Sequence, residues 1–268
     1  MLASILGDGT LAKITTATRR KNSCYREHFG EGQLLYRQWK INKLEGLLYF
    51  NRKKNEVLSK SLPIFTELER LFYSDSRIKR LPIEILKDCI LPSFLATLYM
   101  DDGSLSISYR INHRLKKVYL TPHIYLYLQS FTKPDLEILK EHISIYFKVN
   151  LSLSKRKDGF GYVLKTTSVN ETFKFLQVIR SVILECPSMF YKTNWNYRFT
   201  KEFIKWKTKY PFYHIITSSS TRSKAYSDDE IELLIILKSL RFTDKVISDI
   251  LHRSYWSVVY KWSDLQKS

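Results

Sequence analysis

Two stretches of the chain have apolar runs that end in an acidic residue and a glycine. They are Met1–Leu11 (MLASILGDGTL) and Leu91–Leu105 (LPSFLATLYMDDGSL). A shift of 94 residues lays one on the other, so that Leu6 meets Met100, Asp8 meets Asp102, Gly9 meets Gly103 and Leu11 meets Leu105. Neither run has a polar face, and each predicts a buried helix. Ala3 and Gly7, four apart, place small side chains on one face of the first helix, and Ala96 and Thr97 do so in the second. Two such helices can pack closely. The repeat divides the chain before any single element is assigned.

Between the two motifs the pattern changes period several times. Thr10–Ala17 is β-branched and leads into the basic, polar stretch TRRKNSCYREHFGEGQ, which predicts a hairpin with a basic tip. Leu34–Leu48 has helical apolar spacing and predicts an amphipathic helix. Strand material follows over 47–60. A helix then runs from Ser61 to Phe72, with Ser61 as N-cap and Pro63 in the first turn. The first half therefore reads α-β-β-α-β-β-α. Pro82 and Pro92 bracket a connector, and the second half repeats the order. Ser106–Leu120 is strand and basic loop, and Tyr119–Gln129 is strand. Thr132–Phe147 is a helix capped by Thr132, with Leu136, Leu139 and Ile143 on one face. Val149–Lys157 and Gly161–Thr167 alternate around an Asp-Gly turn, and Glu171–Leu184 closes the half.

Beyond residue 195 the composition shifts. Trp195–Pro211 interleaves aromatic and basic residues, and 218–224 (SSSTRSK) reads as a linker. From 196 to 225 there are seven Lys and Arg against one Glu. The last 43 residues predict three helices: one opened by a capping box at Ser227–Glu230, one opened by Thr243, and one over Tyr255–Asp264. The expected divisions are 1–90, 91–195, 196–225 and 226–268.

The chemistry lies at the repeat. Each of Asp8 and Asp102 falls at a helix C-terminal end, where the partial charge of the helix is already negative. Two such ends side by side make an acidic point that favours a hard divalent cation such as Mg²⁺. One Asp-Gly after a helix is usually only a capping turn, and it is the duplication on a common frame that favours the metal. Net charge extends the picture. The chain carries 44 Lys and Arg against 26 Asp and Glu, a net +18, which points to a polyanionic partner, nucleic acid first. No segment approaches ~18 uninterrupted apolar residues, and no signal peptide is evident. Three spaced cysteines without a CxxC pair disfavour zinc modules and fit a reducing, intracellular compartment. Six scattered histidines form no HExxH.

ILGDGTL and YMDDGSL resemble the two motifs of the LAGLIDADG homing endonucleases in their single-chain form. ELERLFYSDSRIKRLP and PSMFYK, at 187–192, resemble further stretches of that family, so the likeness spans about residues 1–195. It implies an α+β fold of two pseudo-symmetric αββαββα halves, paired through the motif helices, whose sheets form a DNA-binding saddle with Lys and Arg on the open face. It also implies a monomer, with Asp8 and Asp102 holding Mg²⁺ or Mn²⁺ and with Lys79 and Lys192 acting near the scissile phosphates. The implied reaction is double-strand cleavage across the minor groove, leaving short 3′ overhangs. Other readings of the same fold are an intron-RNA maturase and a catalytically silent DNA-binding protein.

The expected DNA contacts come from the basic loops: Arg19, Arg20, Lys21 and Arg26, with Glu27, Glu31 and Gln33 toward bases or waters, then Arg110, Arg114, Lys116 and Lys117 with His113, then Lys155, Arg156 and Lys157. The tail resembles a helix-turn-helix of the Myb/SANT kind. That likeness gives Arg253, Ser254, Trp256, Ser257 and Lys261 as its contact set, the alternative being a small oligomerisation bundle. Asp101 stands where the first motif has Gly7, and it is expected either to point away or to compete for metal.

Overall fold

The computed structural model describes residues 1–15, 19–156, 158–217, 226–253 and 255–266. They divide into two compact units, residues 1–220 and 221–268.

The first unit runs α1 (Leu2–Leu6), β1 (Thr10–Leu11), β2 (Tyr25–His28), α2 (Leu34–Lys43), β3 (Leu48–Asn51), β4 (Glu56–Ser59) and α3 (Pro63–Phe72). A short α4 (Ile83–Leu86) leads to the repeat: α5 (Pro92–Asp102), β5 (Gly103–Asn112), β6 (Lys117–Leu126), α6 (Lys133–Phe147), β7 (Leu151–Lys155), β8 (Tyr162–Thr166) and α7 (Val169–Leu184). Then come α8 (Phe190–Thr193), α9 (Trp195–Lys209) and β9 (His214–Thr217). Each half has a sheet of the same order, β1-β2-β4-β3 and β5-β6-β8-β7, antiparallel throughout.

Both sheets pack on one core that includes the motif helices. Along α5 every side chain from Phe94 to Asp101 is buried, as an apolar helix without a polar face requires. The packing of α1 on α5 is close. A Cβ placed on Gly7 would lie 2.7 Å from Asp101 Cβ, so only glycine fits there. At Gly9 an added Cβ would lie 2.3 Å from the Tyr25 ring, and at Gly103 it would lie 2.0 Å from the Tyr99 ring. Each motif glycine thus sits under a buried tyrosine.

Local sequence signals account for several boundaries. The Thr132 hydroxyl accepts from Asp135 N, and the Asp135 carboxylate accepts from Thr132 N, so α6 opens with a full capping box. Ser168 caps α7 and Asn194 caps α9. Ser61 does not cap α3, whose N-cap is Leu62. The Ser61 hydroxyl instead donates to Asn22 O at 2.6 Å, tying down the β1–β2 connection.

The stretch after residue 195 is more than a basic extension. α9 closes the core-side face of the outer β5–β6 hairpin, burying Trp206 against Val118 and Leu120. β9 then pairs in parallel with β6, Lys117↔His214 through Leu120↔Thr217. The expected linker at 218–224 lies outside the described residues.

The second unit holds α10 (Asp228–Ser239), α11 (Asp244–Ile250) and α12 (Tyr255–Leu265) around Leu234, Leu237, Ile247, Leu251 and Val258. Its capping box at Ser227 and Glu230 is formed. Among the described residues no helix is long and apolar enough to cross a membrane.

Candidate active site

The end of α1 delivers Asp8, and the end of α5 delivers Asp102. Their helices pack so closely that a Cβ on Gly7 would stand 3.1 Å from Asp102 Oδ2. Burial, followed by the charges of Asp8 and then Asp101, raises the Asp102 carboxyl to about 7; Lys79 and Lys192 oppose that rise. A carboxyl raised by neighbouring acids marks a cation-seeking point, and oxygen ligands at helix ends fit a hard divalent ion.

Lys79 and Lys192 occupy equivalent places. Lys79 Nζ donates to the carbonyls of Leu6 (3.3 Å), Gly7 (3.1 Å) and Gly9 (3.1 Å). Lys192 Nζ donates to those of Met100 (2.6 Å) and Asp101 (3.2 Å). Leu6 and Gly7 overlay Met100 and Asp101 under the 94-residue shift, so the pseudo-symmetry extends to hydrogen bonds. The last carbonyls of a helix lack intrahelical donors, and a cation there also offsets the helix dipole. Their partners in this structure are the carbonyls of the helix ends that carry the two acids. Burial lowers Lys79 to about 8, against the raising influence of Asp102, Asp101 and Asp8. Lys192 is lowered by burial as well.

A group that sequence reasoning missed lies beneath Asp8. α2 looks amphipathic, yet Leu34 and Leu35 are exposed while Tyr36, Arg37 and Lys40 are buried. Arg37 Nη2 donates to Asp8 Oδ2 at 2.7 Å and to Gln33 Oε1 at 3.1 Å. Its Nη1 reaches Asp101 Oδ1 at 3.4 Å. Lys40 Nζ donates to both oxygens of Asp101, at 2.7 and 2.9 Å, and to Glu27 Oε1 at 2.8 Å. Tyr36 and Tyr25 donate their hydroxyls to Asp101 (2.7 Å) and Glu27 (2.5 Å). Asp101 therefore points away from Asp102, into the first half. Burial pushes its carboxyl up to about 6, with Lys40 opposing. Glu27 and Gln33, expected at bases or waters, belong to this cluster: Glu27 is on the inner face of β2, and Gln33 is bound to Arg37. Oxygens of Asp8, Glu27 and Asp101 come within 4.8 Å of one another. Lys40 and Arg37 already lie among them, so this triad is an ion-pair cluster rather than a cation site.

The open face of the second sheet is built by strict alternation. β6 turns Val118, Leu120, Pro122, Ile124 and Leu126 inward and Lys117, Tyr119, Thr121, His123 and Tyr125 outward. Opposite these on β5 stand Asn112, Arg110, Ser108, Ser106 and Ser104. Hydroxyls, rings and one imidazole outnumber cations there, in place of the Lys and Arg surface expected. Arg110 stacks near Tyr119 (5.8 Å), Lys165 lies 5.5 Å from the Tyr125 ring, and His123 Nε2 meets Ser108 Oγ at 3.1 Å. Burial, and then Lys165, lower His123 to about 4, so it is neutral at physiological pH. Arg114 is exposed in the β5–β6 turn and Lys116 beside it accepts at its carbonyl from His214 N at 2.8 Å.

On the first sheet Arg26 is exposed and pairs with Glu56 at 3.7 Å. Arg19 and Lys21 are exposed in the β1–β2 connection, where Arg20 turns back to Cys24 Sγ at 2.6 Å. Lys155 is exposed at the end of β7, and Arg156 pairs with Asp158. Lys157 and Ser254 lie outside the described residues, as does the side chain of Trp256. Arg253, expected to contact DNA, donates to both carboxylate oxygens of Glu230, at 3.0 and 2.6 Å, holding α10 to the turn before α12. Lys261 Nζ lies 5.9 Å from the Tyr226 ring. Residues 226–268 carry six Lys and Arg against seven Asp and Glu, so the positive charge of the chain resides in residues 1–225.

Residues 1–173 match the LAGLIDADG DNA endonuclease family. Among solved structures, the homing endonuclease I-WcaI bound to its DNA recognition sequence shares the fold: TM-score 0.53, 20% identity, 72% of this chain and 83% of that one. A variant of I-DmoI, in complex with its nicked target DNA in the presence of manganese, aligns with TM-score 0.42 at 19% identity, over 67% of this chain and 92% of that one.

Proposed function

The chain belongs to the LAGLIDADG DNA endonuclease family, and from that premise we propose that it is a sequence-specific homing endonuclease that cuts both strands of a long duplex site. The observation that carries the reading is the convergence of Asp8 and Asp102 at adjoining helix ends, with a lysine on the carbonyls of each. Asp8 and Asp102 would each hold a divalent cation, Mg²⁺ or Mn²⁺, which when bound activates water and stabilises charge at the phosphate. Lys79 and Lys192 keep the helix ends, and so the two acids, in place. The two sheets seat the duplex, with phosphates met by Arg19, Lys21, Arg26, Arg114 and Lys155 and base edges met by the Ser, Tyr and His rows of β5 and β6. The protein acts as an intracellular monomer, its two halves serving opposite strands. The tail, residues 226–268, acts as a separate helix-turn-helix-like module that adds affinity and takes no part in chemistry.

The test starts from a random duplex library selected for binding in Ca²⁺, followed by cutting of the selected site in Mg²⁺. Cutting of both strands that stops with EDTA is expected. Asp8→Asn and Asp102→Asn should each lose double-strand cutting and bind within about tenfold of the parent, because the acids hold metal rather than DNA. Undiminished cutting by either variant, or none by the parent, would overturn the reading.

A further inference from the structure

The cluster beneath Asp8 is costly for a fold. Glu27 and Arg37 are each 1% exposed, and Lys40 is 2% exposed. Buried ion pairs lose hydration that their mutual attraction barely returns, and well-packed apolar residues of similar volume often serve stability as well or better. The second half proves the point within this molecule. Its α6, topologically equivalent to α2, turns Leu136, Leu139, Ile143 and Phe147 inward, and its one buried polar side chain, His142, meets the Cys89 carbonyl, with no buried ion pair among the described residues. The architecture does not require the charges, and their geometry runs from one half to the other. Lys40 bridges Glu27 of the first-half sheet to Asp101 of the second-half motif helix. Asp101 and Glu27 then face the Arg37 guanidinium from two sides, Glu27 Oε1 standing 3.1 Å from Nε. The remaining edge of that guanidinium is aimed at Asp8. Asp102 has no equivalent, since Gly7 stands where a counterpart of Asp101 would be, and among the described residues no side chain donates to its carboxylate.

We propose that Glu27, Lys40 and Asp101 are positioning residues: a buried ionic clamp across the two halves that orients Arg37 and, through it, Asp8 alone. The inference rests on the nuclease reading. Its consequence is asymmetric, because loosening the clamp frees the guanidinium and with it the Asp8 carboxylate that it already holds at 2.7 Å, while Asp102, which has no such partner among the described residues, is left as it was. The strand served by Asp8 should slow and the other should not, so nicked duplex accumulates.

The test is the double variant Glu27→Gln/Lys40→Met in the full chain, which removes one charge of each sign and keeps an acceptor for Tyr25. Each strand of the selected site is end-labelled, and the strand belonging to Asp8 is the one that Asp8→Asn fails to cut. The expected result is at least tenfold slower cutting of that strand, with the other within twofold. Manganese titration of the complex with an uncleavable phosphorothioate duplex, followed by electron paramagnetic resonance, should show one site weakened threefold or more and the other unchanged. Equal slowing of both strands, equal weakening of both sites, or no change would overturn the clamp. If the double variant does not fold, Tyr36→Phe, which removes only the hydroxyl bonded to Asp101, must show the same one-sided bias; an even loss or none overturns the proposal. A parent protein that cuts neither strand sinks the nuclease reading instead, and the manganese occupancies then still decide the clamp.

Discussion

The two halves share strand order, helix order and the lysine-to-carbonyl contacts, yet they solve the same construction with opposite materials. The first has short strands, β1 of two residues and β2 of four, over a buried ionic cluster. The second has a ten-residue hairpin pair over an apolar core, closed beyond its end by α9 and β9. Common to both halves is the immediate support of the two acids. What differs is the set of side chains around each acid and how far each sheet extends. Identical topology therefore does not mean equal mechanics at the two strands of a target.

The largest effect should come from the shared part. Asp8→Asn and Asp102→Asn should each lower cutting of one strand by roughly 10²–10³, and the strand lost should switch between the two variants. Loss of both strands in either variant would show that the halves do not act separately.

Next is the close packing at the motif glycines. Gly9→Ala and Gly103→Ala drive a Cβ into a buried tyrosine, and each should cost about 3 kcal/mol in denaturant unfolding. A variant of native stability would show that the two sites are looser than their geometry.

The apolar brace separates the halves more sharply. Trp206→Ala should lower the local opening free energy of the outer β5–β6 hairpin by about 3 kcal/mol. Hydrogen exchange should then accelerate first at Val118–Leu120 and leave β2 unchanged. Uniform acceleration would mean that the hairpin opens only with the rest of the unit, and no acceleration would mean that it needs no brace.

A smaller effect concerns Asp102 in metal-free protein. Its carboxyl titrates near 7 in the folded state and near its ordinary value when unfolded. The folded state then holds the extra proton between about pH 4 and 7, so stability falls as pH rises through that window. Asp102→Asn should be more stable than the parent by roughly 1–2 kcal/mol at pH 8, after allowing for solvent screening, with no gain at pH 4. Thermal melts at the two pH values check it, and a gain at pH 4 would refute the assignment.

The smallest effect should follow removal of residues 221–268. The near-neutral charge of that unit gives it little non-specific hold on DNA. Cutting at saturating protein should be unchanged and affinity should drop by less than about tenfold. A truncated protein that binds but cannot cut would place the tail in the chemistry.

The sequence alone determined whatever depends on near neighbours in the chain. The 94-residue repeat fixed two αββαββα halves and the candidate acids Asp8 and Asp102. Side-chain bonds over three residues fixed the caps at Thr132 and Ser227, and period-two alternation fixed the inward face of β6. Tertiary structure decided the rest. Apolar periodicity signals burial only for apolar side chains, so α2 hid the fact that Arg37 and Lys40 are its core residues. Their burial becomes tolerable only when Glu27 and Asp101 arrive from β2 and α5, 13 and 61 residues away from Lys40. Parallel pairing of β9 with β6 likewise rests on backbone hydrogen bonds between segments almost 100 residues apart, and no local pattern encodes it. Nor could the chain order reveal that Lys79 and Lys192 spend their donors on helix-end carbonyls, since those carbonyls belong to every sequence and only the packing of α1 on α5 brings them within reach.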